Sequence, residues 1–216
     1  MSDHEPQKNK PWIIFNKYSP YMVVDCKVMK NSKGENVPLA PVSSLCRCGA
    51  SGHKPYCDGT HSKIGFVGEK DPDRVPDRLK EYTGKDITII DNRGVCSHSE
   101  ECIKNLGSVF RKDRRPWIEP DAATVKDIVG TIEKCPSGAL SYKIGEKHYK
   151  DLDREPAILV SKNGPLEVVG GIELKDDMGS KPESREHYTL CRCGASKNKP
   201  FCDGAHHEIG FRDDEN

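Results

Sequence analysis

Apolar residues are scarce in this sequence. Hydrophobic residues make up 34% and aromatic residues 6% of the 216 positions, and no apolar run approaches the length of a membrane-spanning helix. Folding units of about 55–75 residues with so little apolar surface are marginally stable unless a disulfide or a metal centre is added. We therefore expect several small domains that depend on such a centre, and no membrane partner.

An excess of charge of either sign is also missing. The chain has 34 Lys and Arg residues against 34 Asp and Glu residues, so no overall attraction to nucleic acid or to an anionic membrane is expected. The first residues, Met1 to Pro6, contain no apolar secretory segment. This favours a reducing, cytoplasmic setting and argues against a framework of disulfides.

Motifs of the common enzyme classes are lacking as well. The chain contains no nucleophile elbow, no P-loop and no dinucleotide-binding glycine run after a predicted strand. No catalytic residue is predicted, and we expect that the protein is not an enzyme.

Cysteine, in contrast, is abundant, and six of the ten cysteines lie in a motif that occurs twice. The motif begins at Cys46 and again at Cys191, which is 145 residues later (191 − 46). Residues 11–66 align with residues 156–211 without a gap, and 24 of the 56 aligned positions are identical. Such self-similarity indicates that a whole domain has been duplicated.

Three domains are predicted from this organisation. The two repeats occupy residues 11–68 and 154–213. Between them, residues 78–150 form a middle domain of different character with three cysteines of its own, preceded by a charged, proline-containing linker.

Short apolar runs predict the secondary structure. Trp12 to Phe15 and Tyr21 to Val24 read as strands separated by a turn, and the second repeat shows the same pattern. Each repeat is therefore expected to be a small antiparallel β-unit. In the middle domain, strands are expected around a helix over residues 122–134 that Asp121 caps. The predicted fold class is α+β.

Each repeated motif brings together three thiols and one imidazole. In a C-x-C segment, alternate residues of an extended chain face one metal, and Cys57 and His61 stand four residues apart, on one face of a helical turn. Asp58 is placed to cap that turn, and Gly59 leaves room for the backbone to approach a bulky cluster. Spacing alone also permits tetrahedral zinc with three cysteines and one histidine.

The full spacing, C-x-C-x2-Ser-x3-Pro-x-C-D-G-(Thr/Ala)-H, closely resembles the signature of the CDGSH iron-sulfur, or NEET, family. The resemblance is strong over residues 45–66 and 190–211 and weak over the preceding strands. It implies a 2Fe-2S cluster with three cysteine ligands and one histidine ligand in each repeat. The implied ligands are Cys46, Cys48, Cys57 and His61 for the first cluster, and Cys191, Cys193, Cys202 and His206 for the second.

The resemblance also bears on assembly. Members of the family with one motif per chain form intertwined homodimers. The duplication therefore implies an intramolecular pseudo-dimer with pseudo-two-fold symmetry and a monomeric protein, with the middle domain as an insertion.

The middle domain has a third group of cysteines. Cys96, Cys102 and the Cys135-Pro136 pair are similar to the run of a divergent single-cluster ferredoxin domain in which Ser99 replaces the central cysteine. Three-cysteine members of that superfamily commonly hold a 3Fe-4S cluster, which is the form predicted here. A 4Fe-4S cluster is the alternative if His98, Ser99 or an outside ligand binds the fourth iron. The other interpretation is that these three cysteines are buried and bind no metal.

Several remaining residues are assigned no ligand role. Cys26 aligns with a glycine and is interpreted as a half-buried strand cysteine. His53 and His207 are not repeated in the other copy and are interpreted as surface residues. Lys54 and its counterpart Lys199 either contact the cluster or its histidine, or are solvated loop residues.

Two classes of function follow from these motifs. The first hypothesis is an electron-transfer protein that exchanges single electrons with an unidentified reductase or acceptor protein. The second is storage or transfer of clusters to apo-acceptor proteins, or sensing of redox state and pH, since a histidine ligand can be lost by protonation. A zinc-stabilised interaction module is a weaker third hypothesis.

Overall fold

The computed structural model describes residues 10–214 and residue 216. The polar N-terminal residues before Lys10, including the segment used above to argue against secretion, lie outside this range. The chain folds into three four-stranded sheets with short helices, which is an α+β architecture. Among the described residues, no helix is long and apolar enough to cross a membrane.

The first repeat supplies four strands and one helical turn. They are β1 (Trp12–Phe15), β2 (Tyr21–Val24), β3 (Met29–Lys30), β4 (Val42–Leu45) and α1 (Thr60–Lys63).

The middle domain alternates strands and short helices. They are β5 (Leu79–Thr83), β6 (Thr88–Asn92), a 3₁₀ turn (Arg93–Val95), α2 (Glu101–Asn105), a second 3₁₀ turn (Pro120–Ala122), α3 (Val125–Ile132), β7 (Leu140–Ile144) and β8 (Lys147–Tyr149).

The second repeat returns to the order of the first. It contains β9 (Ala157–Val160), β10 (Leu166–Val169), β11 (Glu173–Asp176), β12 (Tyr188–Leu190) and α4 (Ala205–Glu208).

Each repeat donates a strand to the sheet of the other repeat. The first sheet has the order β11-β1-β2-β4, and the second has the order β12-β10-β9-β3. The exchanged strands pair in parallel, β11 with β1 and β3 with β9, whereas the pairs within each repeat are antiparallel. The prediction of purely antiparallel units was therefore wrong for the exchanged strands, because only neighbours within one repeat are joined by short turns.

One hydrophobic core serves both repeats. Alternate residues of β1 and β2 point inward, as their period-two burial shows, and meet the inward residues of β9 and β10. The buried members include Ile13, Phe15, Tyr21, Val23, Leu45, Ile158, Val160, Leu166, Val168, Tyr188 and Leu190. Each repeat alone has too few apolar residues for a core, so sharing one solves the shortage seen in the composition.

The middle domain has a core and a sheet of its own. Its four strands are antiparallel in the order β5-β6-β7-β8, and α3 packs on the sheet with Ile128 and Ile132 buried. Phe110 and Trp117 belong to this core, with ring centroids 5.8 Å apart.

The boundaries of the middle helix differ from the prediction. The α-helix begins at Val125, not at residue 122, and Thr124 caps it by accepting a hydrogen bond from the Asp127 backbone N–H at 3.2 Å. Asp121 instead lies in the preceding 3₁₀ turn and binds the backbone N–H of Lys85 at 2.8 Å. Thr124 is the better cap because it is the last extended residue before the helical run.

Adjacent isoleucines on β1 test the shared core. Ile13 is 0% exposed and Ile14 is 39% exposed. Ile13→Ala should lower the free energy of unfolding by about 2–5 kcal/mol because it opens a cavity between the repeats. Ile14→Ala should cost less than about 1 kcal/mol. Urea titration of the cluster-loaded protein measures both, and equal losses would contradict the burial described here.

Candidate metal centres

Backbone pairing brings the cysteines of the first repeat together. The backbone N–H of Cys46 donates to the carbonyl of Pro55 at 2.8 Å, and that of Cys57 donates to the carbonyl of Ser44 at 2.9 Å. The segment that carries Cys57 thus lies along the end of β4 as a short extra strand. This arrangement places the Cys-x-Cys segment beside the third cysteine.

A glycine turn adds the histidine. Gly59 has φ +86°, a left-handed conformation that a side chain disfavours, and α1 starts directly after it. Asp58 accepts hydrogen bonds from the backbone N–H groups of Gly52 at 2.9 Å and Thr60 at 3.0 Å. These bonds, that from Gly52 foremost, hold the pKa of the Asp58 carboxyl well below its usual range. Gly59 is the N-cap residue, so the prediction that Asp58 caps the turn is only partly correct.

The four donor side chains are grouped in twos. The sulfur atoms of Cys46 and Cys48 are 3.9 Å apart, and Cys57 Sγ lies 3.2 Å from His61 Nδ1. Two ligands of one tetrahedral metal with bonds of about 2.3 Å are separated by roughly this distance.

A single zinc ion would require all four donors within that separation of one another. Among residues 10–214 and 216, no three or more His, Cys, Asp or Glu side chains are grouped around one such point. Two adjacent pairs of donors fit a cluster of two irons, with one pair on each iron.

The second repeat builds the same constellation. Cys191 and Cys193 have sulfur atoms 3.6 Å apart, and Cys202 Sγ lies 3.3 Å from His206 Nδ1. Asp203 repeats the role of Asp58, with bonds from the N–H groups of Lys197 and Ala205. The eight predicted outer-site residues therefore lie in two matching groups.

The arginine inside each Cys-x-Cys segment points away from the thiols into the protein. Arg47 is buried, donates to the carbonyls of Asn16, Ser19 and Gly68, and lies over the ring of Phe15. These contacts anchor the segment between the two cysteines.

The second arginine is anchored differently. Arg192 donates to the carbonyls of Gly164 and Ser161 and forms a buried ion pair with Asp213. The position that aligns with Asp213 is Gly68 (213 − 145), so the first repeat has no such carboxylate. Each arginine thus fixes the backbone on which two cysteines stand.

The two outer centres meet back to back. Cys48 and Cys193 form an isolated antiparallel β-bridge. The following glycines, Gly49 and Gly194, have φ values of +80° and +81° and lie against the carbonyls of Cys193 and Cys48, where a Cβ would clash. Close approach of the two loops therefore requires glycine at both positions.

The protein environment raises the pKa of most of these thiols. Burial is the main cause, and it raises the pKa of Cys48 to about 11 and also raises the pKa of Cys57 and Cys202. Several such thiols facing one another are costly as bare thiolates. A bound cation removes this cost, so the electrostatics favour metal binding coupled to proton release.

The middle centre lies at the end of the sheet. One small cavity is lined by Cys96, Cys102 and Cys135. Ser99, which replaces the central cysteine of the ferredoxin run, lines the same cavity. Each cysteine of a 3Fe-4S or 4Fe-4S cluster binds a different iron, so these thiols need not be paired. Burial raises the pKa of Cys102 to about 12.

Two residues near the middle centre take distinct positions. Arg93 Nη1 donates to Cys96 Sγ at 3.3 Å while its guanidinium lies over the Trp117 ring at 3.8 Å. His98 does not line the cavity that the three cysteines share. It lines a neighbouring cavity, together with Cys96 and His207 of the second repeat.

The structure corrects some of the minor assignments. Cys26 is fully buried in the loop after β2, not half-buried in a strand. Lys54 and Lys199 donate to the carbonyls of Ser51 and Ser196 and so stabilise their own loops. Gly204 leaves no room for a side chain, because the His98 ring lies against it. His53 and His207 are exposed, as predicted.

Sequence reasoning missed two residues that connect the domains. The hydroxyl of Tyr21 lies 2.9 Å from the carbonyl of Cys191 and so links the first repeat to the second centre. Asn198 donates to the carbonyl of Gly94 at 2.6 Å and so links the second centre to the middle domain. A signal was present, because both positions differ between repeats: Tyr21 aligns with Leu166 and Asn198 with His53.

Comparisons with known proteins give matches to two family models. The model described as iron-binding zinc finger, CDGSH type, matches residues 18–62 and 163–207. The model described as divergent 4Fe-4S mono-cluster matches residues 82–144. Two curated relatives, each called uncharacterized protein YjdI, come from Escherichia coli K12 and O157:H7. Each is 44% identical over 62 residues, which is 29% of this chain and 82% of the relative. No solved structure matches the sequence significantly.

Cysteine substitutions separate ligands from other buried thiols. Cys57→Ser should remove the iron of the first outer site, because a pair of donors loses one member. Cys26→Ser, which changes a buried thiol outside every group, should leave the iron content unchanged. Iron analysis and visible absorption of the two purified variants check this, and equal iron content in both would exclude Cys57 as a ligand.

Proposed function

Because the chain is an iron-sulfur protein in which two CDGSH-type domains flank a divergent 4Fe-4S mono-cluster domain, we propose that it is an electron carrier with three clusters. The observation that carries this proposal is the grouping of donors in adjacent pairs in both repeats. The Cys–Cys pair would hold one iron of a 2Fe-2S cluster and the Cys–His pair would hold the other. Such a cluster supplies a one-electron acceptor and donor.

The chain's own residues fix the donors in place. The two buried arginines anchor the Cys-x-Cys segments, and Asp58 and Asp203 tie the helical turns to the preceding loops. Rigid donors limit the rearrangement that accompanies a change of charge, which suits electron transfer. Nothing in this arrangement calls for a substrate pocket, and the protein is proposed to be a carrier and not an enzyme.

The proposed middle cluster is 3Fe-4S, held by Cys96, Cys102 and Cys135. Ser99 shares their cavity, so it stands where a fourth ligand would be. The alternative is 4Fe-4S, which the description of the matching family favours. Ser99 is then the proposed fourth ligand, in preference to His98, because His98 lies outside that cavity.

The two repeats are proposed to form an intramolecular pseudo-dimer, so that the protein is a monomer. Reciprocal exchange of β3 and β11 and the bridge between Cys48 and Cys193 support this arrangement. Light scattering of the loaded protein should give the mass of one chain, 24.1 kDa. A mass of two chains would contradict it. We place the protein in the cytoplasm, in contact with redox partner proteins.

Cluster transfer to apo-acceptor proteins is the second candidate function. The observation that favours it is the partial exposure of Cys57 and His61 at the first site. Two assays separate the functions. Reversible reduction of all centres by a ferredoxin reductase, with no loss of cluster, supports electron transfer. Movement of the cluster to an apo-acceptor, controlled by its oxidation state, supports transfer.

Histidine ligation sets the proposed potentials of the outer clusters. His61→Cys or His206→Cys replaces a neutral nitrogen ligand with a thiolate, so the added negative charge should lower the potential of that cluster by roughly 100 mV or more. His53→Cys, which adds a thiol on the same loop without replacing a ligand, should have little effect. Redox titration followed by EPR measures this, and unchanged potentials in both ligand variants would count against histidine ligation.

Ser99→Cys tests whether the middle cluster lacks a fourth iron because residue 99 is not a cysteine. The substitution restores a full C-x2-C-x2-C run and should convert 3Fe-4S to 4Fe-4S under reducing conditions with added iron. The oxidised EPR signal near g of about 2.0 should then disappear. Ser108→Cys, at an exposed position of the same domain, should retain it. Four irons at this site in the unmodified protein would show that the fourth iron position is already filled.

A further inference from the structure

The middle domain contacts the two repeats unequally. It is joined to the second repeat by hydrogen bonds from Asn92 and Lys150 to Glu183 and from Asn198 to Gly94. Across residues 10–214 and 216, no hydrogen bond or ion pair joins residues 79–150 to residues 11–66. The insertion therefore breaks the symmetry of the two repeats.

Two of the contacts lie on either side of Cys96, a residue of the middle centre. Gly94 accepts a hydrogen bond from the side chain of Asn198 at 2.6 Å. His98 lies against Gly204, so closely that a Cβ on that glycine would be 2.6 Å from His98 Nδ1. Cys96 is thus held against the loop that carries Cys202, and the middle centre faces the second outer centre.

The linker adds to this contact. The backbone N–H of Asp71 donates to the carbonyl of Lys197 at 2.8 Å, and the ammonium of Lys70 lies 5.6 Å from the centre of the Phe201 ring. The chain that leaves the first repeat thus crosses the loop of the second centre before it enters the middle domain.

These contacts cover one outer centre and leave the other open. Cys202 is 2% and His206 5% exposed, whereas Cys57 and His61 are half-buried. A Cβ placed on Gly59 would meet no atom within 4 Å, in contrast to Gly204.

The sequences of the two loops differ at the point of contact. Asn198 is 1% exposed, and its counterpart His53 is exposed to solvent. The remaining loop is nearly the same in both copies, with 16 of 22 positions identical from Leu45 to Phe66. The difference at this position therefore matches a difference in surroundings and not in the ligand set.

We propose that the two outer sites have different roles: the second is an internal site that serves the middle centre, and the first is the site that exchanges with the outside. This inference rests on the proposed function, because it requires a 2Fe-2S cluster at each outer site. It assigns Asn198 and His98 as the positioning residues that hold the middle domain over the second site. Small iron chelators, and acceptor proteins that bind iron in a similar way, should therefore react with the first outer site before the second.

Chelator-driven loss of clusters tests the proposal. The loaded full-length protein is incubated with a small ferrous-iron chelator, and the 2Fe-2S EPR signal is measured in reduced samples taken over time. Two phases of equal size are expected, and the slower phase should be at least about tenfold slower, because reagents reach a covered site only after local opening.

Variants at the contact between the middle domain and the second repeat show which outer site gives the slow phase. His98→Gly removes an exposed ring at a position with φ +55°, which glycine adopts readily, so folding should be preserved. It should speed the slow phase several-fold and leave the fast phase unchanged. Asn198→Ala should do the same. His53→Asn, the matched change on the first loop, should alter neither phase, and the EPR signal of the middle centre should persist in all three variants.

The outcomes distinguish this inference from the function on which it rests. Purified protein without 2Fe-2S clusters at the outer sites would overturn both. Loaded protein that loses its clusters in a single phase, or a slow phase that both interface variants leave unchanged, would overturn the inference alone. The inference is supported if cluster loss has two phases, if the interface variants bring the two rates together, and if His53→Asn leaves both rates unchanged.

Discussion

Pairing of strands across the two repeats is the constraint on which both outer centres depend. β11 extends the first sheet and β3 extends the second, so neither sheet is complete without the other repeat. The shared core fills the space between them, and Tyr21 reaches from this core to the backbone of Cys191. Because the cysteine loops begin where β4 and β12 end, the exchange also brings Cys48 and Cys193 into contact. The position of one centre is therefore set by the folding of both repeats.

The inserted middle domain makes the two outer centres of this symmetric pair unequal. Its contacts with the second repeat place the middle centre beside the second outer centre, which in turn adjoins the first outer centre. Asn198 on one side and the Cys48–Cys193 bridge on the other make the connections. In the proposed carrier, electrons would enter at the open site and be held at the covered sites. This arrangement is consistent with a carrier between partner proteins.

Local features of this structure were predictable from the sequence, and contacts between distant segments were not. The four strands Trp12–Phe15, Tyr21–Val24, Ala157–Val160 and Leu166–Val169 begin and end where the apolar runs do. The repeated spacing also predicted which thiols and imidazoles would meet. The exchange of β3 and β11 was not visible as such, because parallel pairing between segments far apart in the chain has no local signal. Likewise, the side that the middle domain occupies depends on Asn198, whose difference from His53 gained meaning only in the folded protein.

The central claim is that paired donors hold iron-sulfur clusters at both outer sites beside a third cluster in the middle domain. Analysis of iron, acid-labile sulfide and zinc in anaerobically purified protein, together with EPR of oxidised and reduced samples, tests it most directly. The account predicts about seven irons and about eight acid-labile sulfides per chain, with 2Fe-2S signals in the reduced state. A colourless protein with stoichiometric zinc and no sulfide would contradict it.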